Sequence, residues 1–175
     1  MRAALRRQLD TQFKDRFNAD FPMFNRLRMP KSETSIWAAC KTLRRLTFFI
    51  MIVPFEKEGS FAVEIAWSEN GQFPWDSIGI APDLTLQRWR GRVGQLFVPP
   101  RDSIWELDPE YKRAGMRRLA ALERGKPAQE PSRDSVSNIC QHLPSAINDV
   151  AKTIENHAIP YFFAIQKLCG SEVLA

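Results

Sequence analysis

Glu64, Asp76, Asp102 and Glu106 are carboxylates on or beside strand-like stretches, and Cys40, Cys140, Cys169, His142 and His157 are all the thiols and imidazoles the chain has. Two carboxylates that meet in a fold can do general acid–base work, but no spacing here pairs any two of these. Cysteine catalysis needs a base within reach. Cys140 and His142 stand two apart in a helical pattern, so their side chains diverge. The cysteines are widely spaced without a C-x-x-C, and two histidines complete no Cys/His zinc set. G-x-S-x-G, G-x-x-x-x-G-K-[ST], a strand-borne G-x-G-x-x-G and H-E-x-x-H are all absent. We therefore expect no catalytic residue, no metal and no cofactor: a protein that binds rather than reacts.

The residues suited to binding are tryptophans and arginines, the types that dominate interface hot spots. Arg88, Arg90 and Arg92 alternate with Trp89, and Trp75 stands in a proline-bearing loop upstream. These five are the candidate partner-binding residues. Arg and Trp in alternation can stack on bases or form cation–π pairs that only pack. A second basic run, Lys112, Arg113, Arg117 and Arg118, has few acids beside it, whereas Asp76, Asp83, Asp102 and Glu106 are interleaved with the first. The formal net charge of +5 permits nucleic acid, anionic lipid or an acidic protein as partner.

These residues hang on a framework centred on Leu46 to Trp67. The apolar run Phe48 to Val53 reads as a strand buried on both faces. After the break Glu56-Lys57-Glu58-Gly59, Phe61, Val63, Ile65 and Trp67 alternate with Ala62, Glu64 and Ala66, a strand buried on one face. Phe49, Ile52, Val63 and Ile65 are the expected core. Leu5, Leu9, Phe13 and Phe17 fall at i, i+4, i+8 and i+12, the inward stripe of a helix over residues 3–18 that Phe21-Pro22 ends. Ser35 to Thr42 reads as a strand, although Ala38, Ala39 and Leu43 also permit a helix, with Arg44-Arg45 a tight link to the hairpin. Residues 24–29 read as a short strand or linker, and Phe73, Trp75 and Ile78 belong to a loop that covers a sheet end or lines a groove.

Downstream, Thr85 to Phe97 predicts a strand with one basic face and Ile104 to Leu107 a short one. Asp108-Pro109 opens a helix whose inner side is Tyr111, Gly115, Leu119 and Leu122. Gly125 to Arg133 reads as a flexible surface loop. Asp134 and Ser135 cap a long helix that keeps its apolar phase from Val136 to Ile154, with a kink or break at Pro144 and an end at His157 to Pro160; Tyr161 to Leu168 is a short terminal helix. The fold class is α+β: one domain over residues 1–175, a mostly antiparallel sheet of about five strands, with N- and C-terminal helices packed on one face. A chain of this length buries roughly 70% of its unfolded surface. No apolar run approaches the about 20 residues of a membrane span, and the opening MRAALRRQLD has no apolar signal core. Reduced thiols and a cytoplasmic location are the expectation.

The Phe48–Ser68 hairpin, the later Arg92-Val93-Gly94-Gln95-Leu96, the Asp102-x-x-Trp105 piece and the closing His157-Ala-Ile-Pro-Tyr-Phe-Phe163 occur in an order that resembles the bacterial domain of unknown function 4304. That family has an opening helix, a central antiparallel sheet, an Arg-Gly-Leu strand, a tryptophan after a loop and a late helix with an (L/I)-P-(F/Y)-F turn. The resemblance spans about residues 5 to 170. It departs at Ile104, where a second tryptophan is often found, and in the proline-rich Gln72 to Leu86 segment. It implies the fold, a bacterial origin and a place among small immunity proteins that neutralise secreted toxins; it brings no catalytic residues. The expectation is a non-catalytic cytoplasmic protein whose partner is another protein, such as a bacterial toxin, with no membrane and no specific nucleic acid. The alternative is a basic nucleic-acid-binding protein.

Overall fold

A computed structural model describes residues 2–27, 37–55, 59–76, 88–107, 109–125 and 136–171. Helix α1 (Arg2–Asp20) is followed by strands β1 (Asn25–Arg26), β2 (Trp37–Leu43), β3 (Leu46–Phe55), β4 (Ser60–Ser68), β5 (Arg88–Arg92) and β6 (Ile104–Glu106). Helices α2 (Pro109–Glu123), α3 (Val136–Thr153) and α4 (Ile159–Ser171) complete the chain. The sheet is antiparallel in the order β1-β2-β3-β4-β5, and β6 also pairs with β4. β5 takes the Glu64–Ser68 half of β4 and β6 the Ser60–Ala62 half. This is the expected α+β class; among the described residues the sheet has six strands, because the stretch read as a short strand or linker contributes β1.

The central hairpin forms as its residues dictate. Phe48 pairs with Trp67, Ile50 with Ile65 and Ile52 with Val63. Gly59 takes φ 62° in the connection, a conformation glycine adopts without a Cβ clash. Leu43 pairs directly with Leu46, so Arg44-Arg45 is a two-residue turn, with Arg44 at φ 55°. Turns this tight need a positive φ near their start, normally supplied by glycine.

Register sorts the side chains into two faces. One face gathers Phe48, Ile50, Ile52, Phe61, Val63, Ile65, Trp67 and Trp89 under α1, α3 and α4. From α1, Leu9, Phe13 and Phe17 enter this core, Phe13 edge-on to Phe61 with centroids 5.2 Å apart. The Phe21 N–H makes a last bond to the Phe17 carbonyl before Pro22, which has no N–H to give. The opposite face carries Ala38, Phe49, Met51, Ala66 and Phe73, also buried. β4 is thus buried on both faces, where its alternation predicts one. Small Ala62 and Ala66 let the second face be covered closely. Phe49, Ile52, Val63 and Ile65 are all core, as expected.

The end of the chain departs from expectation. α3 runs through Pro144 without a break, and at Ile154–Ala158 it widens into one π turn that leads straight into α4. The Ile159 N–H reaches back to the Ile154 carbonyl. In a regular ladder the Pro160 ring would meet the carbonyl four residues before it, and the wider turn carries the chain past that clash. Leu143, Ile147, Val150, Ile154, Phe162 and Ile165 therefore line one continuous buried stripe. Of the inner side predicted for the preceding helix, Leu119 and Leu122 of α2 are exposed instead, while Tyr111 and Gly115 are outside the residues whose burial is described. As expected, the N- and C-terminal helices fill one face of the sheet: α1, α3 and α4 supply its cover. Ser35, Ile78, Asp83, the start of the predicted strand at Thr85, Asp108, and most of the loop and cap from Lys126 to Ser135 lie outside the described residues.

Tyr161 gives this packing a pH signature. Its hydroxyl accepts a hydrogen bond from Trp67 Nε1 at 3.2 Å, and burial, partly offset by that bond, pushes its pKa from 10 up to about 12. A phenol whose folded pKa exceeds its unfolded one binds more protons when folded. Its contribution is complete below about pH 10 and is lost as pH rises from there towards 12. Wild-type stability should fall over that window by up to about 2 kcal/mol more than that of Tyr161→Phe. Denaturant titrations of both proteins at pH 8 to about 11.5 check this; parallel curves would contradict it.

Candidate functional site

β5 places its alternating residues on opposite faces. Arg88, Arg90 and Arg92 share the face of Glu64 and Ala66, while Trp89 points to the helices beside Trp67. The structure corrects the expectation for Trp89. Its side chain is 1% exposed, edge-on to Tyr161, and presents nothing to a partner. For the same reason no arginine stacks on it.

Each arginine instead holds a carboxylate. Arg90 donates from Nε at 2.8 Å and Nη2 at 2.7 Å to Glu64 Oε2, and from Nη1 to the Trp75 carbonyl at 3.1 Å. Its guanidinium lies 5.2 Å from the Phe73 ring centroid and 5.6 Å from that of Trp75. Both side chains of this pair are well covered, 14% and 16% exposed. Arg88 pairs with Asp76 at 2.9 Å in solvent, and Arg92 pairs with Asp102 and lies over Phe55. Three of the four candidate carboxylates are thereby taken up as counter-ions. Phe73 closes on Phe49 with centroids 5.4 Å apart, which leaves Trp75, 38% exposed, at the rim. The loop thus covers the sheet through Phe73, one of its two expected roles, and Trp75 faces outward.

The turn after β5 exists because of two glycines. A Cβ on Gly91 would stand 2.0 Å from Gln95 Oε1 and 2.4 Å from the Trp89 ring, and one on Gly94 would stand 2.2 Å from the Arg101 carbonyl. Gln95 accepts from the Arg92 N–H at 2.9 Å, and Gly94 O accepts from the Arg101 N–H at 3.0 Å. The predicted long strand therefore ends at Arg92 in a tight 3₁₀ turn, Val93–Leu96. Two hollows flank it. One, of about 440 Å³, lies between Glu64, Arg92, Gln95 and Asp102. The other, of about 650 Å³, runs beside Trp105, Asp149, Lys152 and His157. Trp105 stacks on Phe61 (5.7 Å, 11°) and donates to Asp149 Oδ2 at 2.7 Å, while His157 sits edge-on to Phe97 at 4.4 Å.

The second hollow and Arg101, whose guanidinium lies 4.5 Å from the Phe97 ring centroid, were not expected from sequence. The one signal for them is the turn chemistry of Pro99-Pro100-Arg101-Asp102.

No family model, curated protein or solved structure matches this chain. The function must be argued from its surfaces. Burial pushes the Cys40 thiol pKa up, opposite to the shift that activates a cysteine. The Cys140 side chain lies outside those described. Among the described residues, no three His, Cys, Asp or Glu side chains are grouped to hold a metal ion, and no helix is long and apolar enough to cross a membrane.

Proposed function

We propose that this chain is a non-catalytic protein-binding domain, most concretely a cytoplasmic immunity protein that neutralises a bacterial toxin. The observation that carries the binding reading is the pairing on β5. Arg88, Arg90 and Arg92 are each matched with a carboxylate, and Trp75 is pinned beside them. A patch of alternating charge around a fixed aromatic suits a protein of complementary pattern. A phosphate backbone rewards cations without counter-ions nearby. The immunity role rests on the resemblance to domain 4304 and on nothing else.

The test is affinity purification from the native host, followed by reconstitution with the purified partner. A toxin should be retained. Trp75→Ala combined with Arg88→Glu should weaken it at least about tenfold, with a loss of unfolding free energy of no more than about 2 kcal/mol, because Trp75 stands at the rim and the Arg88–Asp76 pair lies in solvent. The exposed arginines of α2 favour the alternative, a nucleic-acid binder. Submicromolar affinity for a random duplex or single strand at about 150 mM salt would establish it and overturn the immunity reading.

A further inference from the structure

Helix α2 holds out to solvent the side of itself that a helix normally hides. Met116, Leu119 and Leu122 are 62%, 58% and 55% exposed. Their spacing of three residues sets them along one stripe. Arg113, Arg117 and Arg124 are exposed beside it, and their spacing of i, i+4, i+11 draws a basic line parallel to the apolar one. We propose that α2 is a docking helix for an acidic protein partner. Its Met116–Leu119–Leu122 stripe enters an apolar groove whose rim sets Asp and Glu against Arg117 and Arg124.

The charge pattern selects this occupant over the others. Duplex or single-stranded nucleic acid would satisfy the arginines but leave three apolar side chains idle against phosphates. An anionic membrane would take both stripes, but Glu123 lies at i+4 from Leu119 and i+7 from Met116, in line with the apolar stripe, and would be forced towards the acyl chains. A protein groove can pair that carboxylate individually. A second copy of α2 would set arginine against arginine across a two-fold axis. Helix-in-groove recognition uses apolar anchors at this spacing with charges at the rim. The proposal rests on the protein-binding reading and adds a surface separate from Trp75.

The test uses the full chain and a defined probe. This is a labelled amphipathic peptide of about 20 residues, long enough to form a helix, with leucines on one face and glutamates on both flanks. Fluorescence anisotropy at about 150 mM salt should show saturable binding. The same peptide with lysine for glutamate should bind at least about tenfold more weakly. Leu119→Ser and Arg117→Glu should each weaken the acidic peptide by a similar factor. Circular dichroism shows whether each variant is folded, and a second variant, Met116→Ser, replaces one that is not. Equal binding of the two peptides, indifference to the variants, or tighter binding of a random duplex or of phosphatidylserine vesicles would overturn the proposal. So would a dimer dependent on Leu119. Peptide binding without any retained host partner would uphold α2 and sink the immunity reading. A toxin held through Trp75, with no response to the peptide, would do the reverse.

Discussion

Replacing Trp67 by Ala should lower the unfolding free energy by about 3–5 kcal/mol, a large part of what a domain of this size has. Trp67 is 1% exposed at the centre of the helix-covered face. It pairs in register with Phe48 on one side and Trp89 on the other, so its removal opens a void between three strands. The sheet cannot close that void without moving β5. A second loss adds to the first. Trp67 Nε1 donates to Tyr161 Oη at 3.2 Å, and truncation leaves a half-buried hydroxyl without that donor. Trp67→Phe separates the two effects. It keeps most of the ring contact and loses the hydrogen bond, and should cost about 1–2 kcal/mol. Urea unfolding of the three proteins gives the comparison, at constant slope. A midpoint for Trp67→Ala within error of the wild type would show that β4 is not the centre of the core.

The hairpin that carries Trp67 was legible because both of its signals are local. A β-branched and aromatic run and an alternating run flank a glycine, and each local preference agrees with the fold. The α1 stripe was legible for the same reason. What escaped is what depends on partners far along the chain. Alternation in Arg88 to Arg92 says that Trp89 and the arginines lie on opposite faces, but not which face is buried. The second face became an interior because Phe73 folds back over Phe49. The acids scattered among the arginines proved to be their counter-ions, which needs the pairing of β4 with β5 and cannot be read from spacing. For α2, periodicity gave a stripe but not whether anything packs on it. At Pro160 the sequence announces a helix break, and a single π turn is the local solution that avoids one.

The same distinction between sequence and burial decides the other large effect. Glu64–Arg90 and Asp76–Arg88 look alike as residues: a carboxylate and an arginine of β5. Their surroundings differ. The first pair is 14–16% exposed, whereas in the second Arg88 is 48% and Asp76 66% exposed. An exposed pair gains little, because water screens it and two long side chains must be held still. Asp76→Ala should cost no more than about 1 kcal/mol. Glu64→Ala strands the Arg90 guanidinium between Phe73 and Trp75 with its carboxylate gone, and should cost about 3 kcal/mol. Glu64→Gln keeps an acceptor but not the charge and should fall between. Glu64→Ala combined with Arg90→Met removes the stranded charge and should recover part of the loss, since the penalty lies mainly in the unpaired ion rather than in the bond. Urea midpoints of these variants decide the matter, and Glu64→Ala no more harmful than Asp76→Ala would refute it. The consequence for binding follows from the third Arg90 contact. Arg90 Nη1 holds the Trp75 carbonyl at 3.1 Å, so Glu64 fixes the exposed indole through Arg90. Glu64→Ala should therefore weaken a partner held at Trp75 even where the domain remains folded, because the partner must then order the loop itself.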